Sequence, residues 1–590
     1  MILNKIKEQG YLVFDGAFGT YYADKYQENH DTCEIANIKH PQRVLNIYKE
    51  YLDAGADVIK TNTFSANEQH LEYDWKTIQE VLREGYRLAY QATQDVDKIF
   101  ADIGPIVEQK NVSLFSQYQK IVDIFLEEGA KNFLFETLWS TKAISEIASY
   151  IRTKCPEACI AVSFSVTADG YSRQGKSMQT LLSDCLEDDN IDICGLNCIC
   201  GPLHMKQLLE KIDTQKKPIL IMPNAGYPTV LSNRTYFQDS SDYFASVMKE
   251  IYQKGAIVLG GCCGTTPVYI QKLKRNLADL KPAQEIHKTD EQKQKVSVDT
   301  NPIRHKLKEN KKIVAVEFDP PANCEIDRFI SNAQYLKEAG VDAITIADCP
   351  IARARVDSSL LACKLHRELD IEIIPHMTCR DRNINATKAL LFGLQIEGIS
   401  NVLVVTGDPI PSEDRQEVKA VFNFNSQILA NYIQDLNQTM FPHPFLIFGA
   451  LNINAVNFEA ELQKAKQKMK HGVEGFLTQP VHSQRALDNL KKAKQELDAY
   501  LLGGVLPIVS HRNAVYMNNE ISGIEVDEQL VACYEGKTRE EAQQLAIDIS
   551  CQTIDAMKDY VDGYYLITPF NRVEIIGSII SYIHKQEERA

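Results

Sequence analysis

Apolar and polar positions alternate in a repeating beat along the first half of the chain. Short β-type runs lie at 11–17, 57–64, 98–104, 132–138, 159–166, 191–198, 218–226 and 256–263. Between them, apolar residues recur every three or four positions, the period of an amphipathic helix. In 43–55, Val44, Ile47, Tyr48, Tyr51 and Leu52 share one face and Gly55 supplies a stop. In 241–255, Phe244, Val247, Met248 and Ile251 do the same. Strands alternating with helices predict a parallel sheet, and eight such units within roughly 280 residues predict a closed (β/α)8 barrel. An open doubly wound sheet is the alternative, but no early G-x-G-x-x-G accompanies it.

Residues 281–300 break the beat. The stretch is polar and nearly free of large apolar side chains, and reads as a linker. Eight further runs follow, at 312–321, 342–350, 371–379, 401–409, 444–452, 474–481, 503–510 and 563–570, with a helical pattern after the last. The predicted class is α/β, two tandem (β/α)8 TIM barrels joined by a polar linker: 1–280, 281–300 and 301–590.

Composition narrows the class further. The chain has 590 residues, 44% hydrophobic and 24% charged, as ordinary soluble proteins do, and is long enough to bury large cores. Its formal charge, 64 − 79 = −15, argues against bulk nucleic-acid binding and polybasic membrane attachment. No apolar run approaches the ~18–20 residues that span a bilayer. The first twenty residues lack a signal-peptide pattern, so a cytoplasmic location is expected. There, fifteen cysteines are reduced thiols, metal ligands or catalytic groups.

In a barrel, chemistry collects where strands end. Polar residues at those ends include Asp15, Asn62, Asp102, Glu136, Asn197 and Cys198, then Glu317, Asp348, His376, Asp408 and Gln479. Cys198 ends the sixth run, and Cys262 and Cys263 end the eighth among glycines that permit a sharp turn. Three thiolates with one open position suit a catalytic Zn2+, and a thiol in the fourth position would be deprotonated by the ion. Buried structural thiols or a vicinal disulfide are the alternatives, and Cys194 and Cys200 compete with Cys198.

DGAFGT, FET, GLNC and GGCCGT, in this order across the first half, resemble the homocysteine S-methyltransferase family of zinc-dependent barrels. The resemblance implies that Cys198, Cys262 and Cys263 bind zinc and that homocysteine supplies the fourth ligand. It places the amino-acid site at Asp15, Gly16 and Glu136, the carboxylates meeting the substrate ammonium and N–H groups around Gly16 its carboxylate. With no cobalamin-binding or pterin-binding barrel recognised, a sulfonium such as S-methylmethionine or S-adenosylmethionine is the expected methyl donor.

In the second half, VEFDPP, HMTCRD, TGD and TQP resemble methylenetetrahydrofolate reductase, a flavin-dependent barrel family. The resemblance implies FAD, NAD(P)H and 5,10-methylenetetrahydrofolate, with Glu317 as general acid, Asp408 positioning the pterin and tuning the flavin, and Gln479 binding folate. His376, Thr378, Ala450 and Lys468 match flavin-site positions. One departure is Thr406, where many members carry arginine. The expected protein is thus a bifunctional one-carbon enzyme acting on small molecules, with self-assembly left open. The rival readings are a first barrel that serves as a zinc-stabilised regulatory or docking module, and a flavin-binding electron-transfer or sensor protein without folate activity.

Overall fold

The computed structural model describes residues 2–27, 30–108, 112–226, 229–231, 234–236, 240–278, 280, 299–410, 419–421, 424–520 and 524–587. The chain divides into two compact units, 1–293 and 294–590. The expected linker therefore lies almost wholly outside the described residues.

In the first unit, β1 (Leu12–Val13), β2 (Ile59–Lys60), β3 (Ile99–Ile103), β4 (Asn132–Leu138), β5 (Cys159–Phe164), β6 (Ile193–Asn197) and β7 (Ile219–Met222) run parallel. A short antiparallel hairpin follows, β8 (Thr229–Leu231) with β9 (Arg234–Tyr236), and β10 (Val258–Leu259) completes the sheet. The order is β1-β10-β7-β6-β5-β4-β3-β2, and a parallel bridge between Phe14 and Val58 joins its two ends. Each strand splits its side chains by parity. Leu12, Phe14, Phe100, Leu134 and Ala161 pack together inside the ring, whereas Val13, Ala101, Phe133, Phe135 and Val162 pack against the helices outside. The helix predicted before Gly55 spans Pro41–Asp53 and buries Val44, Ile47, Tyr48 and Tyr51. Gly55 follows at φ 96°, a left-handed turn that glycine adopts without a Cβ penalty.

In the second unit eight parallel strands form a closed barrel in sequence order: β11 (Ile313–Phe318), β12 (Ala343–Ile346), β13 (Glu372–Thr378), β14 (Asn401–Val405), β15 (Leu446–Leu451), β16 (Gly475–Pro480), β17 (Tyr500–Val505) and β18 (Gly563–Ile567). The ring closes through β11 and β18, from Ile313↔Gly563 to Glu317↔Ile567. The final helix buries Ile575, Ile576, Ile579, Ile580 and Ile583.

Two features of the base escaped the hydrophobic pattern. Short helices at Ile2–Gln9 and Pro302–Lys308 each precede a first strand. Ile2 and Ile6 join the interior cluster of the first ring, and Ile303 and Leu307 that of the second. Burying each such side chain contributes ~1.5–3 kcal/mol. The second feature is a repeated aspartate just before a strand. Asp57 accepts the Val13 N–H at 3.0 Å and pairs with Lys274 at 2.6 Å. Asp192 accepts the Ile160 N–H at 2.8 Å and pairs with Arg152. Asp342 accepts from Val314 and pairs with Lys306, and Asp562 accepts from Leu501 and pairs with Lys494. Each carboxylate staples neighbouring strands while its cation comes from a flanking helix.

Removing such a carboxylate strands a cation and a strand N–H together. Asp57→Ala is expected to destabilise the first unit by about 2–3 kcal/mol. Hydrogen exchange should show lost protection across 12–278 with 302–587 unchanged; undiminished protection in the first unit would show the staple to be dispensable.

Candidate active sites

At the carboxyl rim of the first barrel, Asn197 ends β6 and Cys198 follows at φ 60°, with Ile199 also at φ 60°. The Cys198 N–H is held by the Met222 carbonyl and the Cys262 N–H by the Pro223 carbonyl. After β10 the chain turns through Gly260 and Gly261. A Cβ on Gly261 would sit 2.3 Å from Thr265 Oγ1, so that position requires glycine. Thr265 in turn donates to the Cys262 carbonyl and accepts from the Ala17 N–H. This wiring brings the sulfurs of Cys198, Cys262 and Cys263 within 4.8 Å of one another, with Cys198 and Cys263 3.7 Å apart. A tetrahedral ion with Zn–S bonds of about 2.3 Å needs S···S edges of about 3.8 Å, so the donor set fits zinc. Hydrogen bonds from the Cys262 and Cys263 thiols draw Cys198 down to about 4. Cys194 and Cys200 stand apart, Cys194 buried within β6 and Cys200 donating to the Val166 carbonyl.

The three sulfurs line a cavity of about 580 Å³ whose wall also contains Lys60, Asp102 and Glu136. Asn197 is the hub behind it. Its Oδ1 accepts from the Thr137 N–H and the Ser163 hydroxyl. Its Nδ2 donates to Glu136 Oε2 at 3.2 Å and approaches Cys262 Sγ at 3.9 Å. Lys60 Nζ lies 3.5 Å from Glu136 Oε2, both side chains being 7% exposed. Burial raises the Glu136 carboxyl while Lys60 opposes it. Burial also lifts Asp102 well above the carboxylate range, the Glu136 charge adding to it. For Lys60, burial works to lower the ammonium, but Glu136 and Asp15 together hold it above its ordinary value.

Asp15 and Gly16 are not in the cavity wall. Asp15 accepts the Lys60 N–H at 3.1 Å, and burial pushes its carboxyl up to about 7. Gly16 is closed in by Thr265 and Tyr51, the nearest of whose atoms would lie 2.7 and 2.9 Å from a Cβ there. Lys60 is the residue that matters most to the wall beyond those named at the strand ends, and Asn197, which is among those, stands behind it. A lysine inside an apolar run was the available signal, because lysine is almost never buried unpaired.

In the second barrel, Glu317 lies within β11 and His376 within β13, with Glu317 Oε2 3.9 Å from His376 Nε2. Burial raises the Glu317 carboxyl to about 8, Asp319 adding to it. Burial lowers His376 to about 4, and its Nε2 has no hydrogen-bond partner. At neutral pH the pair is therefore a protonated carboxyl beside a neutral imidazole. The Thr378 amide and hydroxyl both donate to Asp348 Oδ2, which Arg382 also holds. Lys468 donates to the Ala450 carbonyl at 2.8 Å, and burial lowers its ammonium. Gln479 sits half-buried in β16. Asp408 is exposed three residues beyond β14 and accepts the Ile351 N–H. Thr406 donates to Ser426. The buried Arg380 reaches the Asp408 carbonyl from the neighbouring strand end, so a guanidinium does attend this loop.

The first barrel matches the family model for homocysteine S-methyltransferase over 12–277, and the second the model for methylenetetrahydrofolate reductase over 302–583. The chain carries one domain of each family. The chain is also similar to methionine synthases. That of Mycobacterium tuberculosis is 26% identical over 310 residues, covering 47% of this chain and 25% of that protein. That of Mycobacterium leprae is 26% identical over 304 residues, covering 46% and 24%. The chain thus spans about a quarter of the length of these curated relatives. Among solved structures, the oxidized form of the Escherichia coli homocysteine methyltransferase MmuM aligns at 19% identity over 46% of this chain and 97% of that one, TM-score 0.38. Its metallated form aligns at 18%, 46% and 98%, TM-score 0.37.

The reductase-domain carboxyl gives a signed pH effect. Glu317 holds its proton to about pH 8 when folded but releases it near ~4.3 when unfolded. Stability linked to it is therefore full below the unfolded value and lost as pH rises toward 8. Glu317→Gln should gain stability relative to the parent between about pH 4.5 and 8, with a constant difference above. A pH-independent difference in denaturant midpoint would show that Glu317 is ionised throughout.

Proposed function

We propose that the methyltransferase domain transfers a methyl group to homocysteine, giving methionine, and that the reductase domain converts 5,10-methylenetetrahydrofolate to 5-methyltetrahydrofolate. The observation that supports the first activity best is the sulfur trio, gathered within 4.8 Å on the wall of a cavity that also holds a buried carboxylate. Cys198, Cys262 and Cys263 would hold Zn2+. When bound, the ion would supply a thiolate at neutral pH from a thiol that is otherwise mostly protonated. Glu136 receives the substrate ammonium, and Asn197 orients that carboxylate and the Cys262 side of the site together. A sulfonium is the donor class in this reading. No helix of the described residues is long and apolar enough to cross a membrane.

For the reductase domain, the orphaned His376 Nε2 at the carboxyl end of β13 fits a flavin edge, and Lys468 stiffens the end of β15 through the Ala450 carbonyl. FAD, reduced by NAD(P)H, would supply hydride. The chain's own contribution is the proton. Glu317 carries one at neutral pH and donates it to a ring nitrogen of the methylene bridge, which turns that nitrogen into a leaving group. Neutral His376 leaves that proton in place, since a cation there would pull it off. Asp408 and Gln479 position the pterin, and Arg380, itself paired with Asp381, braces the loop through the Asp408 carbonyl.

Two measurements test these roles. Metal analysis should find about one zinc per chain in the parent and much less in Cys262→Ser, with methionine formation abolished; full zinc in the variant would remove Cys262 from the ligand set. Glu317→Gln should leave flavin reduction by nicotinamide within about threefold while folate reduction falls by at least about 100-fold. Equal loss of both half-reactions would make Glu317 structural.

A further inference from the structure

Resting on the reading of Glu317 as proton donor, we infer that Thr345 is a positioning residue for the carboxylate that Glu317 becomes. Its hydroxyl is held in reserve inside the second barrel and donates to Glu317 once the proton has left. Four observations carry this. Thr345 on β12 lies directly across from Glu317 on β11, one strand spacing of about 4.8 Å away. Both side chains face the lumen, because Ala315 and Ala343, two residues earlier on each strand, belong to the interior cluster. Thr345 is wholly buried, and its Oγ1 has no hydrogen-bond partner among the described residues. The Glu317 carboxyl has none among them either, the His376 Nε2 standing off at 3.9 Å.

A buried hydroxyl without a partner costs the fold stability, so its place beside an acid points to a second state in which it is used. Proton donation creates that state. The O–H bond of Glu317 breaks and the proton goes to a ring nitrogen of the methylene bridge. The electron pair of the C–N bond stays on that nitrogen as it leaves. Glu317 is then an anion in an apolar lumen, and it takes a fresh proton from solvent before the next turnover. The groups around it offer little positive charge. On its own strand Asp319 repels it, and Arg355 acts on Asp319. On β13 the imidazole of His376 is neutral, Asp348 nearby notwithstanding. On β18 the opposite residue is Ile567, and the Tyr565 ring lies one layer deeper in the lumen. The hydroxyl across the strand is the neutral donor left to answer the anion, already in place when the charge develops.

The test uses the full chain loaded with FAD and follows the two half-reactions separately. Thr345→Val keeps the shape and removes the hydroxyl. Folate reduction should fall by about 10- to 100-fold. Flavin reduction by nicotinamide should stay within about threefold, which also shows that the barrel is intact. Thr345→Ser should stay within about threefold of the parent in both. A second readout needs no catalysis. The infrared band of the protonated Glu317 carboxyl, identified by its loss in Glu317→Gln, should persist to a pH about one unit higher in Thr345→Val than in the parent or Thr345→Ser. Folate reduction within threefold of the parent in Thr345→Val would overturn the inference. An unmoved carboxyl band, or equal losses in Thr345→Ser and Thr345→Val, would make Thr345 a packing residue only and also overturn it. Should Thr345→Val fail to bind flavin, Thr345→Ala takes its place with the same expectations and the same refutations. Each of these results leaves the proton-donor reading intact. Full folate reduction in Glu317→Gln overturns that reading and this inference together.

Discussion

Ring closure is the constraint on which the rest of this structure depends. Parallel strands in a barrel must all point the same way, so every carboxyl end arrives at one rim. Residues 60, 102, 136, 198, 262 and 263 thereby line one cavity although they span two hundred positions of sequence. In the first ring the closure is thin, with β1 and β2 joined by the Phe14–Val58 bridge. The aspartate staple at Asp57 reinforces that seam, because it binds the Val13 N–H next to the bridge. Strand alternation, helix placement and the catalytic rim all follow from this geometry.

The two rims handle buried charge in opposite ways. The first gathers carboxylates around an ammonium, and the cluster stays buried because its members answer one another. Asp102 and Glu136 share a wall in which full ionisation of both would be costly, and Lys60 moderates the cost. The second rim instead suppresses charge. Glu317 keeps its proton and His376 refuses one, both because burial disfavours ions. One rim balances buried charge against buried charge, and the other does without it.

Much of this was legible from the order of residues. The sixteen strands follow from alternation and spacing, and the Cys198, Cys262 and Cys263 cluster from cysteines at strand ends. What was not legible depended on tertiary partners. Lys60 reads as an ordinary polar residue at a strand end until Glu136, 76 positions away, explains its burial. Arg380 gains meaning only when β13 and β14 lie side by side and its guanidinium meets the Asp408 loop. The helices at 2–9 and 302–308 are too short for periodicity to distinguish from loop. Asp15 and Gly16 lie outside the cavity wall, where Asp15 holds the Lys60 N–H, a placement that the strand-end motif alone does not reveal.

The sealing helix at Ile2–Gln9 has a consequence for how the chain is made. Ile2 and Ile6 cluster with Val258 as well as with Leu12 and Phe14, and β1 takes its hydrogen bonds from β10. The apolar face of this helix therefore has no final resting place until residue 259 has left the ribosome. Long-range closure of this kind folds slowly, and the nascent barrel emerges as an open crescent with an uncovered base. The second barrel repeats the problem, since β11 waits for β18. By then the first has the whole of its sequence available, so it can close while the second is still being made.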